Sequence, residues 1–169
     1  MAKGPRYAVK FLRRRAGATN YKKRIKILQS NLPRLIVRKS DKYVVVQVSE
    51  FTSKGDKILL VAHSSELKKL GWKFGTKSIP AAYLTGLLAA KKAKAKGVQQ
   101  AVLDIGLHTA TKGAKVFAAL KGAIDGGLNV AHGSDMIPSE DRISGKHIAE
   151  YLKKPEITKE FEAVKGKIK

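Results

Sequence analysis

The first acidic residue of the chain is Asp41, and the forty positions before it carry thirteen lysines and arginines. A segment charged in this way cannot collapse on itself, because its cations repel one another and no local carboxylate answers them. The folding core must therefore lie further along, and this end must meet a polyanion. The imbalance also has a size. Lys+Arg outnumber Asp+Glu by 35 to 13, a net charge of +22, where a small soluble domain ordinarily carries a magnitude of about 2–8. From Asp135 to the end the balance is nearly even, eight bases against seven acids. The surplus belongs to the N-terminal quarter.

The rest of the chain can build a core. Hydrophobic residues make up 43% of the full sequence, which argues against wholesale disorder, and 169 residues fit one domain with extensions. The absence of cysteine excludes disulfides, a thiolate nucleophile and a Cys-based zinc site. No apolar run approaches the ~20 residues of a spanning helix. Ile79 to Ala90 is interrupted by Thr85 and Gly86, then meets Lys91 and Lys92. The first residues develop no apolar signal region. A cytoplasmic protein with no membrane contact is expected.

Three regions emerge. Residues 1–20 lack a sustained hydrophobic period and read as a basic arm. Residues 21–130 read as an α/β core with a leading helix, in which Tyr21, Ile25 and Leu28 recur at helical spacing and Thr19 or Asn20 can cap the start. Residues 131–169 read as a more polar, helical C-terminal extension. Within the core, Arg34–Arg38 and Tyr43–Val48 are strand-like, joined by the polar connection Lys39-Ser40-Asp41-Lys42, which suits a hairpin. A Gly55-Asp56 turn precedes a third strand at Ile58–Ala62. A helix runs from Pro80 to about Lys96, a fourth strand covers Ala101–Leu107, and a second helix starts near Gly113 and ends at Gly126-Gly127. The order β-β-β-α-β-α implies a mixed, mostly antiparallel sheet with packed helices.

Several constellations bear on function. In the arm, Arg6, Lys10, Arg13, Arg14 and Arg15 are interleaved with Tyr7 and Phe11. Guanidinium forks match phosphate and aromatic rings stack on unpaired bases, although a solvated basic tail has the same composition. In the hairpin, period two puts Arg34, Ile36 and Arg38 on one face and Leu35 and Val37 on the other. The mixed face is either an RNA platform or a solubilised surface. Thr109, Thr111, Lys112, Gly113 and Lys115 lead into a helix start, which can hold one phosphate or be plain capping.

Enzyme signatures fail. His132-Gly133-Ser134-Asp135 gathers triad residue types by adjacency, and a triad works by geometry across a fold. Asp104, mid-strand, could hold a metal in a nuclease, but a lone carboxylate is not a two-metal site. Its expected role is structural, pairing with a basic group. His63, His108, His132 and His147 show no ligand spacing. No cofactor and no metal are expected.

The motifs occur in one order. Gly4-Pro5-Arg6-Tyr7, Arg13-Arg14-Arg15, Pro33-Arg34-Leu35-Ile36-Val37-Arg38-Lys39-Ser40, Ala62-His63-Ser64-Ser65 and Ala82-Tyr83-Leu84-Thr85-Gly86-Leu87-Leu88 come first. Val102-Leu103-Asp104-Ile105-Gly106-Leu107, Gly113-Ala114-Lys115-Val116-Phe117 and Gly122-Ala123-Ile124-Asp125-Gly126-Gly127-Leu128 follow. Over residues 4–152 this closely resembles the family of ribosomal large-subunit protein eighteen, in its archaeal and eukaryotic form and without the eukaryotic insertions. Asn20 stands where the family often has aspartate, and His108 begins a loop that varies among its members.

The resemblance implies a non-enzymatic protein that binds 5S ribosomal RNA and attaches it to the large-subunit ribosomal RNA in the central protuberance. Neighbouring large-subunit proteins are further partners it implies. Carried onto this sequence, the RNA-facing positions are Lys3, Gly4, Pro5, Arg6, Tyr7, Lys10, Phe11, Arg13, Arg14 and Arg15 of the arm. Thr19, Asn20, Tyr21, Lys22, Lys23 and Arg24 follow, with Arg34, Arg38, Lys39, Ser40 and Lys42 of the hairpin. Ser64, Ser65, Trp72, Lys112 and Lys115 complete the set. An RNA-processing nuclease built on Asp104 and a DNA-compacting basic protein are the rival readings.

Overall fold

A computed structural model describes residues 4–168. The polypeptide begins with a short helix, α1 (Leu12–Arg15), and then α2 (Tyr21–Leu28). Asn20 caps α2, its side-chain oxygen accepting the Lys23 N–H at 3.2 Å. The strands β1 (Arg34–Lys39), β2 (Val44–Thr52) and β3 (Gly55–His63) form an antiparallel meander. After the one-turn helix α3 (Glu66–Lys69) come α4 (Ile79–Ala95), β4 (Gln100–Asp104), α5 (Lys115–Asp125) and β5 (Asn129–Val130). The chain ends in α6 (Glu140–Ser144), α7 (Lys146–Leu152) and α8 (Glu156–Ile168).

The five strands make one mixed sheet in the order β3-β2-β1-β4-β5, with β4 parallel to β1 and to β5. The α/β class read from the sequence is the one observed. The expected fourth strand ends at Asp104 rather than Leu107, because Gly106 turns the backbone at φ +63°. The two-residue β5 and the single turn α1 are too short for any hydrophobic period to announce them.

Period two decides which face of the sheet is covered. Leu35 and Val37 of β1, Val44, Val46 and Val48 of β2, and Leu60 and Ala62 of β3 are buried together against α4 and α5. Each such side chain stabilises the fold by roughly 1.5–3 kcal/mol. Helix α4 is buried nearly all round, since the sheet lies on one side and a second apolar cluster on the other. That cluster joins Trp72, Tyr83, Leu84 and Leu87 to Ile143, Ile157, Phe161, Val164 and Ile168. The C-terminal segment, polar by composition, thus presents an apolar stripe that completes the packing around α4.

Two glycines set the α4–α5 distance. A Cβ on Gly86 would overlap the carbonyl of Ala119, and one on Gly122 would overlap the carbonyl of Tyr83. The helices therefore touch backbone to backbone, which only glycine permits. At the sheet's outer edge, two lysines of α4 reach the outward carbonyls of β3. Lys92 Nζ donates to Val61 O at 2.8 Å and Lys96 Nζ to Leu59 O at 2.5 Å.

Candidate nucleic-acid interface

The face of the sheet turned away from α4 is lined by the other half of each strand. Arg34, Ile36 and Arg38 alternate along β1, and the parallel register sets Asp104 of β4 opposite Ile36. Asp104 therefore stands between two arginines on one face. Its Oδ2 accepts from Arg34 Nη1 at 2.9 Å and its Oδ1 from Arg38 Nη2 at 3.1 Å. Oδ1 also accepts the Gly106 N–H at 2.8 Å, and Arg38 Nη1 donates to the Asp104 carbonyl at 2.7 Å. Both carboxylate oxygens are engaged by protein donors. This is the structural pairing expected from the sequence.

Arg34 continues the chain of charges outward. Its Nη2 lies 2.5 Å from Asp56 Oδ2 and 3.3 Å from Ser49 Oγ. Asp56 is gripped from above as well, since Arg24 Nη2 donates to both of its oxygens at 2.8 and 2.9 Å. Burial pushes the Asp56 carboxyl up, but the two guanidiniums outweigh it and hold the group below its usual range. Between α2 and this face runs a cleft of about 540 Å³. Arg13, Lys23, Arg24 and Arg38 stand on its walls, with Ile27, Ile36 and Leu103 supplying apolar surface.

The arm lies open. Residues 4–18 are all exposed, including Arg6, Lys10, Arg13, Arg14 and Arg15 with Gly4, Pro5, Tyr7 and Phe11 among them. Phe11 is 75% exposed, and its ring sits 5.6 Å from that of Tyr21, so arm and α2 are joined by an aromatic contact. Arg13 Nε donates to Thr19 Oγ1 at 2.9 Å. Lys22 and Lys23 point to solvent from α2. Lys3 lies outside the described residues.

The hairpin forms a second cationic group. Ser40 closes its turn, accepting the Tyr43 N–H at 3.0 Å, and leaves Lys39 and Lys42 exposed. His108 Nε2 accepts the Lys39 N–H at 3.3 Å, tying the turn to the loop after β4. That imidazole titrates below its usual value because of burial, with Lys39 and Arg38 adding repulsion. Burial likewise lowers Lys115, and Lys77 and Lys39 add to the effect. Lys39, Lys77 and Lys115 therefore share one field. Lys112 is exposed on the same loop, and the N-cap of α5 is Ala114, which gives no side-chain cap.

Three of the residues expected to face RNA are buried in the free protein. Arg34 is 2% exposed and held by Asp104 and Asp56. Ser64 is fully buried, its Oγ accepting the Val44 N–H at 3.0 Å. Trp72 is 2% exposed in the second cluster, its indole N–H donating to Gly75 O at 3.3 Å. These side chains hold the scaffold. Ser65 is half-buried and paired with the His63 ring. Sequence reasoning missed Lys77, which lies far along the chain from its neighbours, and Asp56, whose partner Arg24 is thirty-two positions away.

Comparison with known proteins places the chain in a family. A family model described as "Ribosomal large subunit proteins 60S L5, and 50S L18" matches residues 5–100 and 91–133. Three archaeal relatives are each named "Large ribosomal subunit protein uL18". That of Methanoregula boonei is 51% identical over 170 residues, covering 100% of this chain and 98% of its own. That of Ignicoccus hospitalis is 52% identical over 192 residues, with 99% and 94% covered. The relative from Korarchaeum cryptofilum is 50% identical over 156 residues, with 92% and 80% covered. With an exposed cationic arm on a mixed α/β scaffold and half-identity over almost its whole length, the chain belongs to this family of structural, non-enzymatic proteins of the large ribosomal subunit.

Proposed function

We propose that the protein binds 5S ribosomal RNA and fastens it to the large-subunit ribosomal RNA, with neighbouring large-subunit proteins packed around the joint. The observation that carries this reading is the placing of cations on the exposed arm, on α2, at the hairpin and at the start of α5. They are Arg6, Lys10, Arg13, Arg14, Arg15, Lys22, Lys23, Lys39, Lys42, Lys112 and Lys115, with Arg13, Lys23 and Arg38 lining one cleft and Lys39 close enough to Lys115 to lower its pKa. Exposed Tyr7 and Phe11 offer stacking surfaces for unpaired bases, and Gly4 and Pro5 shape the turn that presents them. Arg38, half-exposed at the cleft, can still meet a phosphate with its free edge. Phosphate contacts of this kind fix position, while specificity comes from RNA shape and exposed loops.

The nuclease reading is disfavoured by Asp104, whose oxygens already accept from Arg34, Arg38 and Gly106. Among the described residues no three His, Asp or Glu side chains cluster as a metal site would require.

Titration of the full chain with 5S RNA, an unrelated RNA of equal length and duplex DNA tests the proposal. The 5S RNA should bind most tightly. Replacing Arg13, Arg14 and Arg15 by glutamine should weaken binding and lower the log–log salt slope by about 2–3. Equal affinity for duplex DNA would point to a general compacting protein, and Asp104-dependent cleavage of the RNA in magnesium would restore the nuclease.

A further inference from the structure

Helix α2 carries Lys22, Lys23 and Lys26 into the proposed RNA surface, yet none of its residues is buried. Ile25 is 57% exposed, and Tyr21, Ile27 and Leu28 are no more than partly buried. Hydrophobic packing therefore fixes its position weakly. Among the described residues, its one polar tie to the sheet is the two-oxygen grip of Arg24 on Asp56. Asp56 is itself held from below by Arg34, which is anchored by Asp104 in the interior. The charges run without a gap from α2 through β3 and β1 to β4.

We propose that Asp56 is a positioning residue for RNA binding: it clamps α2 onto the sheet through Arg24, so that the helix presents its lysines in a fixed place. The inference rests on the reading that α2 faces RNA. It makes an unusual demand, because an acid beside an RNA surface repels phosphate. On charge alone, its removal should tighten binding to any polyanion. If the clamp matters, removal instead loosens the cognate complex, because a helix that samples many positions offers the binding-competent one only part of the time.

The test uses the full chain as wild type, Asp56→Asn and Asp56→Glu. Affinities for 5S RNA and for a random-sequence DNA duplex are measured beside amide hydrogen exchange of α2 and of β1–β2. For Asp56→Asn, 5S affinity should fall about tenfold while duplex affinity holds or rises, since the cation count is unchanged. Exchange in α2 should accelerate with β1–β2 protection retained, and Asp56→Glu should recover much of the loss. Unchanged or tighter 5S binding by Asp56→Asn, or unchanged α2 exchange, would overturn the inference. Should Asp56→Asn lose its β1–β2 protection, Arg24→Gln is compared with Lys22→Gln. Both remove one cation from α2, and only the first breaks the clamp, so equal losses would also overturn it. A wild type with no preference for 5S RNA would defeat the RNA reading instead, and α2 exchange would still decide whether Asp56 holds the helix.

Discussion

Asp104 is the residue on which the sheet's open face turns. Replacing it by alanine strands the guanidinium of Arg34 at 2% exposure with only the half-exposed Asp56 as counter-ion. Breaking a buried pair from one side costs about 3–5 kcal/mol, whereas removing both charges with well-packed apolar replacements is often neutral. Urea unfolding should therefore find Asp104→Ala destabilised by about that much and the pair Arg34→Met with Asp104→Leu much closer to wild type. A loss below about 0.5 kcal/mol for the single change would mean that the pair bears little on the fold. The pairing was legible in part. A lone acid mid-strand in so basic a chain predicts a basic partner, but period two names only a face and not what lies over that face. Period two leaves Arg34 on the face offered to RNA, and its burial beside Asp56 depends on partners from distant segments that no local pattern shows.

At the level of elements, the α4–α5 crossing is the least forgiving joint. Gly86→Ala drives a methyl group into the Ala119 carbonyl of a backbone that cannot move aside alone, so the helices must separate. Overpacking of this kind typically costs about 1–3 kcal/mol and occasionally more, and here the upper end or a failure to fold is expected. Gly166→Ala in α8 is the control, because nothing lies within 4 Å of its added Cβ and alanine suits a helix interior better by up to about 1 kcal/mol. Comparison of the two melting temperatures checks both. Helices α2, α4 and α5 were legible from their periods and caps. Helix α8 was read only as part of an extension, because its apolar stripe of Ile157, Phe161, Val164 and Ile168 is diluted by Glu and Lys on its outer face.

For the molecule as a whole, +22 is a load on the fold. Among the described residues seven cations find carboxylate partners, so most of the thirty-five do not. Raising salt from 0.05 to 0.5 M shortens the range of repulsion severalfold, and the free protein should melt at a higher temperature as a result. A flat or falling melting temperature would mean that the ion-pair chain from α2 to β4, weakened by the same salt, outweighs the self-repulsion. The charge total was the most legible property of the sequence, and its division between surface and scaffold was the least.

Not all of that charge faces RNA. The reach of Lys92 and Lys96 to the rim of β3 fills the hydrogen-bonding positions that another chain's strand would use. A subunit made ahead of its assembly must remain a monomer in a crowded pool. These two ammonium groups act as stoppers on strand-by-strand polymerisation, on the side of the sheet opposite β5.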